Sequence, residues 1–296
     1  MTDNEILKIR ECVEKRKVIL SDGTKVSALG QGTWYMGENP GKKDEEINSL
    51  RLGLDLGMNL IDTAEMYGDG LSEELVSKVI EGRREEAFLV SKVYPHNVGM
   101  SSISRACENS LKRLRTDYLD LYLLHWRGRI PFEETIDGME KLKKEGKILR
   151  WGVSNLDIDD MEELYSKSNG DNCDVNEVLY HLGSRGIEYD LLPWQRARNI
   201  PTIAYCPLAQ AGSLKKDLLR NETLNEIARA HDVKPLQIAL AWTIREKDII
   251  SIPKASSSKH VIENAKAASI FLSSSELERL DKVFQKPNRR MPLDIV

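Results

Sequence analysis

The sequence predicts an α/β fold, a (β/α)8 TIM barrel with an N-terminal β-hairpin and extra helices. Three observations lead there. From Ala28 onward, short apolar runs alternate with longer stretches of helical periodicity, the pattern of strand and helix in succession. Eight such runs can be counted, the number that closes a parallel barrel, where a doubly wound sheet would use fewer strands and a switch point. Nearly every run also stops on a residue able to do chemistry or hold a ligand, as expected when all strand ends meet at one face.

Taken in order, Ile6, Ile9, Cys12 and Val13 recur at helical spacing in an otherwise charged start, so residues 1–16 read as a short amphipathic extension used for packing. Val18-Ile19-Leu20 and Val26 flank the turn Ser21-Asp22-Gly23-Thr24, a hairpin. Barrel strands are expected at 29–32, 59–62, 87–92, 119–125, 149–154, 173–180, 202–205 and 249–253. Helices are expected at 44–56, 72–80, 102–114, 132–144, 158–166, 189–198 and 224–245, the last broken near Val233-Lys234-Pro235, then at 258–268 and 275–284. No linker, low-complexity tract or fixed-period repeat divides residues 17–296, which read as a single barrel domain.

A compact chain of 296 residues buries roughly three quarters of its unfolded surface, so a core alone can hold it together. Its 43 basic and 47 acidic side chains give a net charge of −4 and a pI near 5.9, with no basic excess for nucleic acid or an anionic membrane. Cys12, Cys107, Cys173 and Cys206 are scattered without a C-x-x-C pair, which fits reduced cytosolic thiols better than disulfides or a zinc site. Residues 1–16 hold no signal-peptide core, and no apolar run approaches a membrane span. The expectation is a cytoplasmic protein, monomeric or weakly homo-oligomeric, with no metal, nucleic-acid or membrane partner.

The chemistry is organised around Asn59-Leu60-Ile61-Asp62-Thr63-Ala64-Glu65-Met66-Tyr67-Gly68. An apolar run ends in the Asp62 carboxylate, and the Tyr67 phenol follows before a Gly-rich turn and the helix start Ser72-Glu73-Glu74-Leu75. Alone, such an Asp is more often a cap and such a Tyr more often packing. The other strand ends change the balance: Thr33-Trp34, Lys92, His125, Ser154-Asn155, Asn176-Glu177, Tyr205 and Lys254. A lysine ending the apolar strand Phe88-Leu89-Val90-Ser91-Lys92 is costly to bury unless a carboxylate is near, and Asp62 is one strand away. A phenol ionises near pH 10; a nearby ammonium lowers that value, each unit being worth about 1.4 kcal/mol. His125, by itself most often a packed core histidine, would then orient an incoming oxygen or share the proton. Asp62, Tyr67, Lys92 and His125 are the candidate catalytic residues.

Seven segments, in order and at matching spacing, resemble the aldo-keto reductases: Gly32-Thr33-Trp34, Ile61 to Gly68, Val90-Ser91-Lys92, Leu124-His125-Trp126, Gly146-Lys147-Ile148, Gly152-Val153-Ser154-Asn155 and Ile252-Pro253-Lys254. The resemblance runs from about Lys17 to the end and is nearest to bacterial methylglyoxal and diketo-sugar-acid reductases. It implies NADPH-dependent reduction of aldehydes and ketones to alcohols, with Tyr67 as proton donor, Lys92 and Asp62 tuning it, and His125 positioning the carbonyl. The cofactor set it implies is Gly32, Thr33, Trp34, Asp62, Ser154, Asn155, Glu177, Tyr205, Cys206, Leu208, Gln210, Ser213, Lys254, Ser256, His260, Glu263 and Asn264. Ser154 and Asn155 would hold the nicotinamide carboxamide, and Tyr205 would stack on the ring. The 208–214 loop would cover the pyrophosphate, while Lys254, Ser256, His260 and Asn264 would meet the adenosine end. Trp34, Tyr35, Met66, Tyr94, Trp126 and Arg127 are expected to line the substrate pocket, Arg127 as a selector of anions.

Three positions depart from the family's usual residues. Glu177 stands in place of a Gln, and a carboxylate accepts but does not donate a hydrogen bond. Cys206 replaces a Ser. His260 replaces an Arg, so the grip on a 2′-phosphate loses its bidentate fork; Lys254 and the 256–259 run still favour NADPH, with NADH as the second cofactor left open. The loop after His125 and the tail after Phe284 are short, so an open site is expected, taking small aldehydes, α-dicarbonyls of the methylglyoxal kind, or keto sugars. No dinucleotide fingerprint follows Gly30-x-Gly32, no Tyr has a Lys four positions on, and H-E-x-x-H, G-x-S-x-G and P-loop motifs are absent. The alternatives are an NADPH-binding regulatory subunit of the same fold with little catalysis, and a sugar hydrolase using Asp62 with Glu65 or Glu177, which leaves Lys92 and His125 without a purpose.

Overall fold

The computed structural model describes residues 1–209 and 213–296, the side chains of 213–215 excepted. A hairpin of β1 (Lys17–Ile19) and β2 (Lys25–Ser27) precedes eight strands: β3 (Gln31–Gly32), β4 (Leu60–Asp62), β5 (Phe88–Val93), β6 (Leu121–Leu124), β7 (Trp151–Ser154), β8 (Asn176–Leu179), β9 (Thr202–Tyr205) and β10 (Ile249–Ser251). Each of the eight pairs in parallel with its sequence neighbour. Closure comes from Gly30 N donating to Ser251 O at 2.8 Å, Ser251 N to Ala28 O at 2.8 Å, and Gly32 N to Pro253 O at 3.3 Å. The barrel expected from the sequence is the one observed.

Alternation along these strands decides what faces the axis. Leu60, Val90, Leu123, Val175 and Ile203 share one buried cluster inside the barrel, while Ile61, Leu89, Leu124, Val178 and Ala204 join the cluster under the helices. Asp62, Lys92, His125, Glu177 and Tyr205 each stand two residues beyond one of the inward-facing five. Their side chains therefore point along the same axis, one pleat closer to the carboxyl ends. The hairpin seals the other end: Val18, Leu20 and Val26 join the inner cluster, and Arg150 pairs with Asp22 while Ser21 bonds to Asp174.

Around the strands lie α1 (Asp3–Glu14), α2 (Lys43–Asp55), α3 (Leu71–Val79), α4 (Ile103–Leu114), α5 (Phe132–Lys144), α6 (Ile158–Tyr165), α7 (Leu191–Arg196), α8 (Ser213–Arg220), α9 (Glu222–Ala230), α10 (Pro235–Thr243), α11 (Ser258–Lys266) and α12 (Ser274–Val283). The extension α1 starts on a Thr2–Glu5 capping box and packs on α11, while Arg16 donates to the carbonyls of Ala268 (2.9 Å), just after α11, and Ile244 (3.2 Å), at the end of α10. The expected break before Pro235 separates α9 from α10, with Pro235 at the first helical position, where no N–H is needed. Helix α8 was not expected, because 208–214 reads as loop and the helical part that follows is short. No described helix is long and apolar enough to cross a membrane.

Closure is tightest at Gly32, where an added Cβ would meet the Ile252 carbonyl oxygen at 2.8 Å. Backbone cannot swing aside as a flexible side chain can. Gly32→Ala is therefore expected to lower unfolding stability by about 1–3 kcal/mol in urea; an unchanged midpoint would show that this seam can relax.

Candidate active site

Lys92 ends the inner row of β5 with no exposed side-chain surface. Its ammonium donates to Asp62 Oδ1 at 2.5 Å, to the Thr63 carbonyl at 3.1 Å and to Tyr67 Oη at 3.1 Å, and lies 3.4 Å from Glu177 Oε1. Burial works against its charge; Asp62, then Glu177, outweigh that and hold the ammonium well above the ordinary lysine range. The His125 ring meets Tyr67 edge to face at 5.8 Å. Burial, then the Lys92 charge, push the imidazole down to about 3, so it is neutral across the physiological range.

Local backbone places Tyr67. It opens a one-turn segment, Tyr67–Gly70, in which Gly68, Asp69 and Gly70 have φ of 58°, 52° and 91°; the turn reverses the chain into α3 and leaves the phenol facing the axis. Gly70, at φ 91°, suits glycine on backbone grounds, and an added Cβ there would lie 2.5 Å from Arg113 Cδ and push that side chain aside. Arg113 pairs with the fully buried Glu73 at 2.5 Å, and Glu73 accepts from Ser91 at 2.6 Å, which ties the turn to the strand carrying Lys92. Beneath it, Ser72 donates to Thr33 Oγ1 at 2.7 Å, and Thr33 to the Asp62 carbonyl at 2.8 Å.

On the opposite wall Ser154 donates to the Glu177 carbonyl at 3.0 Å, Tyr205 Oη to Asn155 Oδ1 at 2.8 Å, and Asn155 Nδ2 to the His125 carbonyl at 3.2 Å. Asn155 and Cys206 hold left-handed backbone, φ 57° and 49°, and both border a cavity of about 120 Å³ also lined by Gly32, Trp34, Met66, Tyr67, His125, Ser154, Glu177, Tyr205 and Lys254. Catalytic candidates and most of the nicotinamide-end candidates thus converge on one space.

Other expected residues lie elsewhere. The Thr33 hydroxyl is buried under the site in the Asp62–Ser72 network. Tyr35, 57 % exposed, stacks on the outer side of Trp34 at 4.6 Å. Tyr94 and Trp126 meet edge to face at 5.8 Å beside His125, outside the cavity lining. Arg127 bridges Glu163 at 3.0 Å and lies over the Phe132 ring, outside the cavity lining. Glu263 pairs with Lys234, away from the mouth. Leu208 packs between the two apolar clusters. Lys254 and His260 are exposed, Ser256 is half-buried and Asn264 is buried. Gln210 and the Ser213 side chain lie outside the described residues.

Two expectations need correction. Lys92 lowers the Tyr67 ionisation as expected, but burial outweighs it and the Asp62 and Glu177 charges work against it, so the net shift is upward and the phenol is neutral. The mouth is also less open than tail length implied. Arg290 reaches Asp159 at 2.8 Å and Asp190 at 3.4 Å, Leu293 packs on the outer cluster, and Val296 enters the cavity wall beside Tyr205. The sequence missed the structural role of Glu65, which it offered only as a hydrolase carboxylate: its side chain accepts from Tyr94 N at 2.7 Å and Asn97 at 3.2 Å. Glu73 and Arg113 were also missed; 40 positions apart, they leave no local signal.

The profile of the Aldo/keto reductase family matches residues 28–285. The chain belongs to the aldo/keto reductase family. It is 52% identical over 284 residues to methylglyoxal reductase YeaE of Escherichia coli (strain K12), covering 96% of this chain and 100% of that one. It is 33% identical over 273 residues to glyoxal reductase of Bacillus subtilis (strain 168), covering 90% and 92%. Among solved structures, an aldo/keto reductase from Klebsiella pneumoniae in complex with NADP and acetate superposes with a TM-score of 0.93 at 52% identity, over 95% of this chain and 99% of that one.

This aldo/keto reductase has features suited to a nicotinamide dinucleotide. Glu177 Oε2 is buried without a partner, in the cavity that Ser154 and Asn155 also line. At the other end, the N-cap residue of α11, Ser257, makes no side-chain cap bond, so first-turn N–H groups next to Lys254 and His260 suit a phosphate. Among the described residues no group of His, Cys, Asp or Glu is arranged as a metal site. With its imidazole titration near pH 3, His125 is expected to keep neutral-form NMR shifts from pH 8 down to pH 5; a midpoint near 6.5 would contradict the burial argument.

Proposed function

We propose that the protein reduces small aldehydes and α-dicarbonyls of the methylglyoxal and glyoxal kind to alcohols, using NADPH. The observation that carries this reading is the Tyr67 phenol, held 3.1 Å from the Lys92 ammonium and facing neutral His125 across a small cavity. Ser154, Asn155 and Glu177 would hold the carboxamide, Tyr205 would back the ring, and Lys254, Ser256 and His260 would meet the phosphate of the adenosine half. The bound reduced nicotinamide supplies the hydride.

The side chains supply the rest. His125, able to donate one N–H in its neutral form, orients the carbonyl oxygen toward Tyr67. As charge builds on that oxygen, Tyr67 protonates it; an alkoxide is a much stronger base than a phenolate, so the transfer runs downhill even from a phenol whose ionisation burial has raised. Lys92 stabilises the phenolate left behind, and Asp62 keeps Lys92 charged and in place. Trp34, Met66 and Val296 give the cavity apolar walls, which suit a small carbonyl carrying little polar surface. The similarity to methylglyoxal and glyoxal reductases supports the same substrate class.

Tyr67→Phe removes the proton and leaves the ring. It is expected to bind NADPH normally by fluorescence quenching, while NADPH oxidation with methylglyoxal falls about 100-fold or more. Turnover within a few-fold of wild type would remove Tyr67 from this role.

A further inference from the structure

Two carboxyls face one ammonium. Asp62 and Glu177 lie 2.5 and 3.4 Å from Lys92 Nζ, and none of the three side chains is more than 3 % exposed. One ammonium offsets one carboxylate, and a second buried charge without its own partner is strongly disfavoured, so one of the two carboxyls keeps its proton. Asp62 is nearer and its Oδ1 is taken by the ammonium. Glu177 is farther, so its charge is the less compensated of the two, and it is the carboxyl that keeps the proton.

The remaining groups that face Glu177 do not change this balance. Tyr67, from the segment after β4, and Tyr205, from β9, are phenols whose ionisation burial raises; Cys206 is pushed up to about 11, and His125, from β6, is neutral. The charged groups that act on Glu177 are Asp62 and Lys92; Lys254 also lines the cavity. Burial, and then the Asp62 charge, push the Glu177 carboxyl up to about 8.

We propose that Glu177 is the proton reserve of the reaction, protonated beside a neutral nicotinamide and ionised beside a cationic one, passing its proton through Lys92 to Tyr67. This deepens the reductase reading and rests on it. Tyr67 gives its O–H proton to the alkoxide produced by hydride addition, Lys92 gives an N–H proton to the phenolate, and Glu177 gives its O–H proton to Lys92. Tyr67 and Lys92 end as they began. Glu177 ends as a carboxylate whose charge offsets that of the oxidised ring, and solvent returns its proton when the dinucleotide leaves. An amide at this position can hold a carboxamide but has no proton to lend.

The test is proton counting by titration calorimetry at pH 7 in buffers of different ionisation heat, binding NADP+ and NADPH separately to the apoprotein. The two ligands share their phosphates, so the difference between them isolates the ring. Wild type is expected to release about one more proton with NADP+ than with NADPH, and Glu177→Gln to show no difference. Infrared difference spectra of the wild type, which need no variant, should lose a protonated-carboxyl band with NADP+ but not with NADPH. Equal proton release by the two ligands, a difference that persists in Glu177→Gln, or no such band would overturn the proposal while leaving the reductase reading in place. Failure to bind either dinucleotide would defeat both.

Discussion

A charged lysine deep inside an apolar barrel is the constraint on which the site depends. Removing an ammonium from water is costly unless oppositely charged and hydrogen-bonding partners replace the lost hydration, and Lys92 has them on three sides: a carboxylate from β4, a backbone carbonyl just after it, and a carboxyl from β8. Those partners fix the ammonium to a point, and that point lies within hydrogen-bond distance of Tyr67. The same burial that makes the charge expensive keeps the phenol and imidazole neutral, so two uncharged hydrogen-bonding groups face one another beside a fixed cation.

The fold makes this possible by regularity. The five polar residues that converge are each one pleat beyond an apolar neighbour on the same strand face, so the chemistry is a continuation of the core. The hairpin seals the far end, and the Arg113–Glu73–Ser91 network locks the Tyr67 turn to the Lys92 strand from outside the barrel. The core and the candidate site are held by the same strands.

Much of this was legible in the sequence. Eight apolar runs of the right length, ending in Asp62, Lys92, His125, Glu177 and Tyr205, specified the barrel and which end of it matters, because a period of two and a shared strand direction leave little freedom. What could not be read was the destination of long side chains outside the strands. Arg127 and Glu263 sit near motif residues, yet each turns to a partner, Glu163 or Lys234, chosen by helix placement. The sign of the Tyr67 shift was missed because it depends on burial and on Glu177 lying beside Asp62, a juxtaposition between strands. The tail was judged by its length, whereas Arg290 and its aspartates decide where it goes.

The most direct measurement of the central claim is a double-mutant cycle on the buried pair. Unfolding free energies in urea would be measured for Lys92→Met, Asp62→Asn and the double variant. If the pair organises the site as described, each single change costs about 3–5 kcal/mol and the double costs clearly less than their sum. Additivity within about 0.5 kcal/mol would mean that the two side chains stand side by side without depending on one another, and the account would fail at its base.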